Sequence, residues 1–162
     1  MVMAQQENPR RLTADDWARA ALTALVEQGL AGVAIEPLAV RLGTTKGSFY
    51  WHFRNRDALV EATLELWERS HTEAVIEVVG AEPEPRQRLR ALFTSIDRLG
   101  GHHGRTGAIE VNLLAAADHP AVATVLRRVV DRRLAYLHDI FAGLGLDDAE
   151  ARRRAESPLK AA

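Results

Sequence analysis

Glycines divide residues 13–56 into three short segments, and the first of them has the apolar spacing of a helix. This first helix begins at Thr13, an N-cap residue with Asp16 in the capping-box position. Gly29 ends it, and Gly43 separates the two shorter helices that follow. Two short helices joined by a tight glycine turn form a helix-turn-helix, whose second helix can enter the major groove of DNA.

The stretch "GTTKGSFYWHFRNR", residues 43–56, combines four aromatic residues with hydroxyl and basic side chains. Phe49 and Phe53 are four residues apart and share one helix face, so we predict that they pack onto the first helix. Tyr50 and His52 then point elsewhere and are predicted to hydrogen-bond phosphate while their rings pack on sugars. Trp51 fits either a DNA contact or packing against the long helix that follows.

The other polar residues of this stretch also suit a DNA-binding surface. Three hydroxyl side chains lie near the start of the second short helix, where free backbone N–H groups favour phosphate. Lys46 can reach phosphate or guanine, the glycine after it allows a close approach, and two arginines can hold the DNA backbone. The predicted DNA-binding residues are Thr44, Thr45, Lys46, Gly47, Ser48, Tyr50, Trp51, His52, Arg54 and Arg56.

The remainder of the chain also reads as helical, without strand alternation or internal repeats. Helices are predicted at residues 57–79, 85–99, 108–117, 120–144 and 147–155, with a linker at 80–85 and a glycine-rich loop at 100–107. The basic run at 127–133 is predicted to form the polar face of an amphipathic helix, with interface salt bridges as the alternative. The predicted fold is all-α, with a DNA-binding unit in residues 1–56 and a helical domain in residues 57–162.

Composition limits the functional classes. The chain has 162 residues, a formal net charge of −1 and no cysteine, so bulk charge does not point to nucleic acid and no disulfide or thiolate metal site can form. It contains no apolar run long enough to span a membrane and no signal-peptide pattern at its start. These observations predict a cytoplasmic protein without a membrane partner.

No catalytic or metal-binding constellation stands out. His102 and His103 are adjacent in a glycine-rich loop, and with Glu110 and His119 they lack the i, i+4 spacing that helical metal sites use. We also find no nucleophile–base–orienter set and no phosphate-binding glycine loop. The sequence therefore predicts neither an enzyme nor a metal or cofactor site.

Residues 35–68, "IEPLAVRLGTTKGSFYWHFRNRDALVEATLELWE", resemble the DNA-binding signature of the TetR family of bacterial transcriptional regulators. The helix–glycine–helix spacing, the run "FYWHF" and the basic residue that follows match the family's pattern. Residues 13–28 suit the family's first helix, and residues 118–146 resemble a C-terminal helix of one of its branches.

The resemblance implies an all-helical homodimer with a DNA-binding domain and a second domain that dimerises and binds a small effector. Such a regulator is typically a repressor that the effector releases from a palindromic operator in double-stranded DNA. The family's usual DNA contacts fall here on Thr45, Lys46, Gly47, Ser48, Tyr50, His52 and Arg56.

The chain departs from the family pattern in two places. The segment at residues 33–37 lacks the usual hydroxyl residue and contains Glu36, whose charge opposes phosphate. After "ARRRA" the sequence continues as "ESPLKAA", where the family has another long apolar helix, so the last dimerisation helix is expected to be missing. These departures leave a second hypothesis open, namely a ligand-binding or protein-interaction module that has lost operator binding.

The effector site is predicted between the helices of the second domain, because sites in helical bundles lie there and are mostly apolar. Plain core packing is the competing interpretation for each candidate. The candidate lining residues are Trp67, His71, Phe93, Ile96, Asn112 and Leu113. The sequence identifies neither the effector nor the operator.

Overall fold

The computed structural model of the protein describes residues 11–98 and 105–157. Its helices are α1 (Ala14–Gln28), α2 (Ile35–Arg41), α3 (Lys46–Phe49), α4 (Arg56–Glu68), α5 (Ala74–Gly80), α6 (Pro85–Arg98), α7 (Arg105–Ala115), α8 (Pro120–Gly143) and α9 (Asp148–Glu156). No strand occurs in these ranges, and the predicted all-α fold is confirmed.

The predicted capping residues fix the ends of the N-terminal helices. The Thr13 backbone N–H donates to the Asp16 carboxylate at 2.9 Å, and the Asp16 N–H donates to the Thr13 hydroxyl at 3.2 Å, which completes the capping box. Gly29, with φ of 67°, closes α1 by donating its N–H to the Leu25 carbonyl. Asn55 caps α4, since its side chain accepts from the Ala58 N–H at 2.9 Å.

A π-helical segment, Arg69–Glu73, joins α4 to α5 where the sequence predicted one uninterrupted helix. The Ser70 hydroxyl donates to the Leu66 carbonyl at 2.6 Å and lies 3.3 Å from the Trp67 carbonyl. A serine that bonds back to these carbonyls competes with the regular backbone ladder and loosens the helix locally. The sequence pattern could not show this, because the segment "RSHTE" contains neither glycine nor proline to mark a break in the helix.

One continuous apolar core connects the N-terminal helices to α7 and α8. Helix α4 packs against α1 on one side and α8 on the other, so buried side chains continue across residue 56. The two buried tryptophans, Trp17 on α1 and Trp67 on α4, both belong to this core. The predicted domain boundary therefore coincides with the start of a helix that the two halves of the molecule share.

The start of α7 and the surroundings of the basic run differ from the main predictions. Helix α7 begins at Arg105, inside the predicted glycine-rich loop, and His102 and His103 lie outside the described residues. The basic run on α8 is not simply a solvated face, because Arg128, Arg132 and Arg133 pair with acidic residues of other helices.

None of the helices in the described ranges is both long and apolar enough to cross a membrane.

Candidate nucleic-acid interface

Aromatic packing holds α3 in place. This helix has only four residues, too few for its own hydrogen bonds to keep it stable. Phe49 is fully buried, with its ring centroid 5.4 Å from that of Trp17 in an edge-to-face arrangement and 5.5 Å from that of Phe53. Phe53 is 8% exposed, so the predicted inward packing of both phenylalanines is confirmed.

A tight turn sets the angle between α2 and α3. Gly43 has φ of 64°, a left-handed conformation that a side chain would strain. The Thr44 N–H donates to the Ala39 carbonyl at 2.9 Å, which ties the turn to α2. Thr45 then caps α3, because its hydroxyl accepts from the Ser48 N–H.

The outer side of this turn forms a cleft of about 600 Å³. We call this cleft, together with the exposed side chains of Lys46, Tyr50 and Arg54 that adjoin its residues in the chain, the recognition surface. Six of the ten predicted DNA-binding residues line the cleft. The lining residues are Arg11, Leu12, Leu42, Gly43, Thr44, Thr45, Gly47, Ser48, Trp51 and His52. Arg11 was not among the predicted DNA-binding residues. Its position just before Leu12 and the N-cap Thr13 was the available signal that a basic residue could lie near the turn.

Tyr50 and Trp51, the two residues directly after Phe49, point outward. Tyr50 is 54% exposed and its ring packs edge-on against Phe49, with the centroids 5.2 Å apart. Trp51 is 82% exposed, which excludes the alternative that it packs against the long helix. Trp51 therefore presents an exposed indole to the cleft that it lines.

Lys46 is held by a carboxylate. Its Nζ lies 2.5 Å from Glu36 Oε1, and both side chains are exposed to solvent. The hydrogen bond from Lys46 lowers the pKa of Glu36, and the hydrogen bond to Glu36 raises the pKa of Lys46, so both groups stay charged at neutral pH. Glu36 on α2 and Lys46 on α3 thus form one ion pair across the helix-turn-helix.

The two predicted arginine contacts differ in their surroundings. Arg54 is exposed just past α3. Arg56 is half-buried, and its Nε donates to the Val33 carbonyl at 2.6 Å while its Nη2 donates to the Leu30 carbonyl at 2.8 Å. In this conformation the Arg56 guanidinium therefore ties the start of α4 to the loop before α2.

The predicted effector residues do not form one lining. Trp67 and Leu113 are buried in the core, whereas Phe93 and Ile96 are 63% and 39% exposed on α6. Asn112 donates from its side-chain amide to the Leu25 and Val26 carbonyls, at 2.8 and 3.1 Å, and so caps the end of α1 from α7.

A polar cluster surrounds Trp67 and includes His71. The Arg133 guanidinium lies over the Trp67 ring, 5.7 Å from its centroid. It donates to Glu110 Oε1 at 2.7 Å, to the Thr72 hydroxyl at 3.1 Å and to the His71 carbonyl at 3.4 Å. We call these five residues the Arg133 cluster. Sequence reasoning missed Arg133, Glu110 and Thr72 here, because their convergence depends on the π-helical segment.

Helices α2 and α3 thus form a helix-turn-helix with a polar outer face. Residues 18–63 match the family described as "Bacterial regulatory proteins, tetR family". The predicted resemblance to the TetR family is therefore confirmed over these residues.

Curated relatives agree with this assignment. The class A tetracycline repressor protein from transposon 1721 of Escherichia coli is 45% identical over 58 residues, which are 35% of this chain and 27% of that protein. The HTH-type transcriptional regulator TtgR of Pseudomonas putida is 36% identical over 52 residues, 32% of this chain and 25% of TtgR. The chain thus spans about a quarter of the length of the curated relatives that it matches.

The fold continues the likeness beyond the N-terminal helices. The ketosteroid transcriptional regulator KstR2 of Mycobacterium tuberculosis superimposes with a TM-score of 0.61. The match covers 96% of this chain and 82% of KstR2, at 22% sequence identity. At that identity the likeness defines the fold, with an N-terminal helix-turn-helix followed by further helices.

Proposed function

We propose that this protein is a transcriptional repressor that binds double-stranded operator DNA and leaves it when a small effector binds. It would act as a homodimer in the cytoplasm, where bacterial operators are. The observation that carries the proposal is the recognition surface: rigid phenylalanine packing behind it, and hydroxyl, histidine and tryptophan side chains that line the cleft in front. A surface that must read DNA needs both features, a fixed backbone and free polar groups.

The predicted DNA contacts fall into two groups on this surface. We assign Thr44, Ser48 and Tyr50 to phosphate and sugar, since hydroxyl groups serve such contacts well. Lys46 is assigned to a base, because lysine donates to guanine in the major groove. Arg54 remains the assigned backbone contact past α3, whereas the Arg56 donors already hold two carbonyls and would position α4 rather than bind DNA.

A homodimer would read two half-sites related by two-fold symmetry. Recognition helices on one face of the duplex then lie one helical turn apart, about 34–36 Å. The operator is accordingly expected to be nearly palindromic. Solution mass, measured by light scattering with and without DNA, tests this part of the proposal independently of any sequence preference.

We place the effector beside Trp67. The indole N–H of this residue is buried and has no hydrogen-bond acceptor within the described part of the chain. A buried donor without a partner is energetically unfavourable, so an effector oxygen that reaches it gains a hydrogen bond at little desolvation cost. Helix α4 would carry the change to the recognition surface, because Arg56 at its start bonds the loop before α2.

Trp51 provides a direct test of the DNA-binding part. It is the exposed one of the three tryptophans, while Trp17 and Trp67 are buried. The full chain is first used to select duplexes from a random library, and acrylamide quenching is then measured with the selected duplex. We expect the duplex to shield the wild-type emission, and Trp51→Phe to bind the same duplex in anisotropy assays without that shielding.

A matched scrambled duplex separates the two hypotheses for the whole protein. Tighter binding of the selected duplex across a salt series supports the regulator, since phosphate contacts alone carry no sequence preference. Enrichment of no sequence by the full chain would contradict it and favour a module without operator binding. The Glu36–Lys46 pair is the observation that keeps this second function in view, because it neutralises a cation of the recognition surface.

A further inference from the structure

The ion pair between Glu36 and Lys46 sits where the proposed function needs positive charge. Glu36 lies in the first turn of α2 and Lys46 at the first position of α3, and their charged atoms meet at 2.5 Å across the Gly43 turn. Their side chains are 67% and 52% exposed, so neither group is enclosed by the protein. DNA could therefore reach both of them.

A structural role explains only part of this arrangement. Glu36 in the first turn of a helix interacts favourably with the helix dipole, and a lysine at the start of α3 gains from a nearby anion. Solvent-exposed pairs contribute little to folding, however, because water screens them and two long side chains must be ordered. An acidic residue close to the recognition surface also repels every phosphate that approaches, whatever the DNA sequence.

We propose that Glu36 is a specificity-determining residue. On non-cognate DNA its carboxylate stays paired with the Lys46 ammonium, and the pair separates only where a G·C base pair offers a hydrogen-bond partner to each group. This inference rests on the proposed function. On random sequences Lys46 stays paired, and the phosphate attraction that gives non-specific binding is reduced by one cation. At the cognate position Lys46 donates to guanine O6 or N7, and Glu36 accepts from cytosine N4.

A G·C pair can provide a new hydrogen-bond partner to both Lys46 and Glu36 when their ion pair separates. The pair offers acceptors on guanine and an amine donor on cytosine in the same major groove. An A·T pair presents the adenine amine between two acceptors, adenine N7 and thymine O4, so the order of donor and acceptors along the groove differs from that of a G·C pair. A separated Glu36 facing an unsuitable base or a phosphate has no donor, and that cost selects against the wrong sequence.

The experiment compares four forms of the full chain: wild type, Glu36→Gln, Lys46→Gln and the double variant. Each selects duplexes from a random library and then binds the wild-type selected duplex and a scrambled one in anisotropy assays. For scrambled DNA, one added phosphate contact should steepen the salt slope by about 0.9, or about 3.5-fold in affinity between about 50 and 200 mM salt. We expect this gain in Glu36→Gln and its absence in the double variant.

The selected sequences give the second readout. We expect one G·C position in each wild-type half-site, and we expect Glu36→Gln to relax the preference at that position alone. Glu150→Gln is the charge-matched control, because Glu150 is also an ion-paired carboxylate: it pairs with Arg153 and Arg154 on α9, and its side chain is about a third exposed. It changes net charge by the same amount and should leave the slope and the selected sequences unchanged.

Each outcome bears on a different statement. If Glu36→Gln leaves both the salt slope and every position of the selected site unchanged, the inference is overturned while the proposed function stands. If Glu36→Gln weakens binding to all duplexes equally, Glu36 only positions the helix-turn-helix, which also overturns it. If wild type enriches no sequence, the proposed function fails, and the inference that rests on it fails as well.

Discussion

The recognition surface and the Arg133 cluster use charged side chains in opposite ways. At the recognition surface, Glu36 and Lys46 meet in solvent as an isolated pair. In the cluster, Arg133 and Glu110 are only about a third exposed, and the guanidinium also holds a hydroxyl, a carbonyl and an indole face. The first arrangement can be exchanged for a ligand at small cost, whereas the second has few free donors left to offer.

The difference indicates how one chain divides structure from function. Polar groups that fix the fold are satisfied internally and lie between helices, as at Arg56, Asn112 and Arg133. Polar groups that would bind DNA stand on a surface that apolar packing holds rigid. Stability and DNA affinity should therefore respond to different substitutions, and the following variants test that separation.

The largest effect on stability is expected within the aromatic stretch itself. Phe49→Ala should lower the free energy of unfolding by about 3–5 kcal/mol, because it empties a fully buried site between Trp17 and Phe53. Urea denaturation followed by circular dichroism measures the change. Operator binding should disappear with the fold.

Trp51→Ala is the matched control two positions along the chain. Trp51 is 82% exposed, so the free energy of unfolding should change by no more than about 0.5 kcal/mol. Affinity for the selected duplex should nevertheless fall. Comparable stability losses in the two variants would break the proposed division between the inner and outer faces of this stretch.

Arg133→Met should have the next largest effect, about 2 kcal/mol lost, since it leaves the half-buried Glu110 carboxylate without its cation and Thr72 without a donor. Arg133→Lys keeps the charge but lacks the planar fork, so it should fall between Met and wild type. Both are measured by urea denaturation. If the free energy of unfolding changed by less than about 0.5 kcal/mol in Arg133→Met, the cluster would contribute no more to stability than ordinary surface charges do.

Much of this structure was predictable from local signals. Thr13, Asn55 and Gly43 carry capping and turn chemistry within a few residues, so the helix ends near them follow from sequence. The inward packing of Phe49 and Phe53 follows from their four-residue spacing. Helical spacing also predicted nearly all of the elements, and the family signature predicted the fold.

The rest depends on contacts between residues far apart in sequence. The Arg133–Glu110 and Arg128–Glu68 pairs join different helices, and no local pattern shows which arginine of the basic run meets which carboxylate. Glu36 was taken as an isolated negative charge, because its pairing with Lys46 requires the angle set by the Gly43 turn. The DNA contacts themselves stay predictions.

Asn112→Ala should cost about 1 kcal/mol, because two carbonyls at the end of α1 lose their shared donor while the Leu25 carbonyl still accepts from the Gly29 N–H. The thermal midpoint of the variant reports the loss. Thr94→Ala is the control: its hydroxyl bonds the Arg90 carbonyl on the exposed face of α6, and its removal should be close to neutral. Equal midpoints for the two variants would show that Asn112 does not join α7 to α1.

The smallest effect should come from His71, through pH. Burial lowers the pKa of His71 below its usual value of 6.5, and the nearby Arg133 charge acts in the same direction, against weaker opposing contributions from the Trp67 carbonyl and Glu110. The unfolded chain then binds a proton more readily than the folded chain as pH falls through 6.5. The stability that neutral His71 contributes is thus complete above that pH and is lost progressively below it.

Urea denaturation of wild type and His71→Gln at about pH 7.5 and pH 5.5 isolates this contribution, because the other titrating groups cancel in the difference between the two proteins. The stability advantage of wild type over His71→Gln should shrink at the lower pH. Affinity for scrambled DNA should not change with pH in the same way, since His71 lies in the Arg133 cluster and not on the recognition surface. An advantage that is constant or grows toward pH 5.5 would mean that His71 is hydrated in the folded protein, and the Arg133 cluster would then be as open to solvent as the Glu36–Lys46 pair.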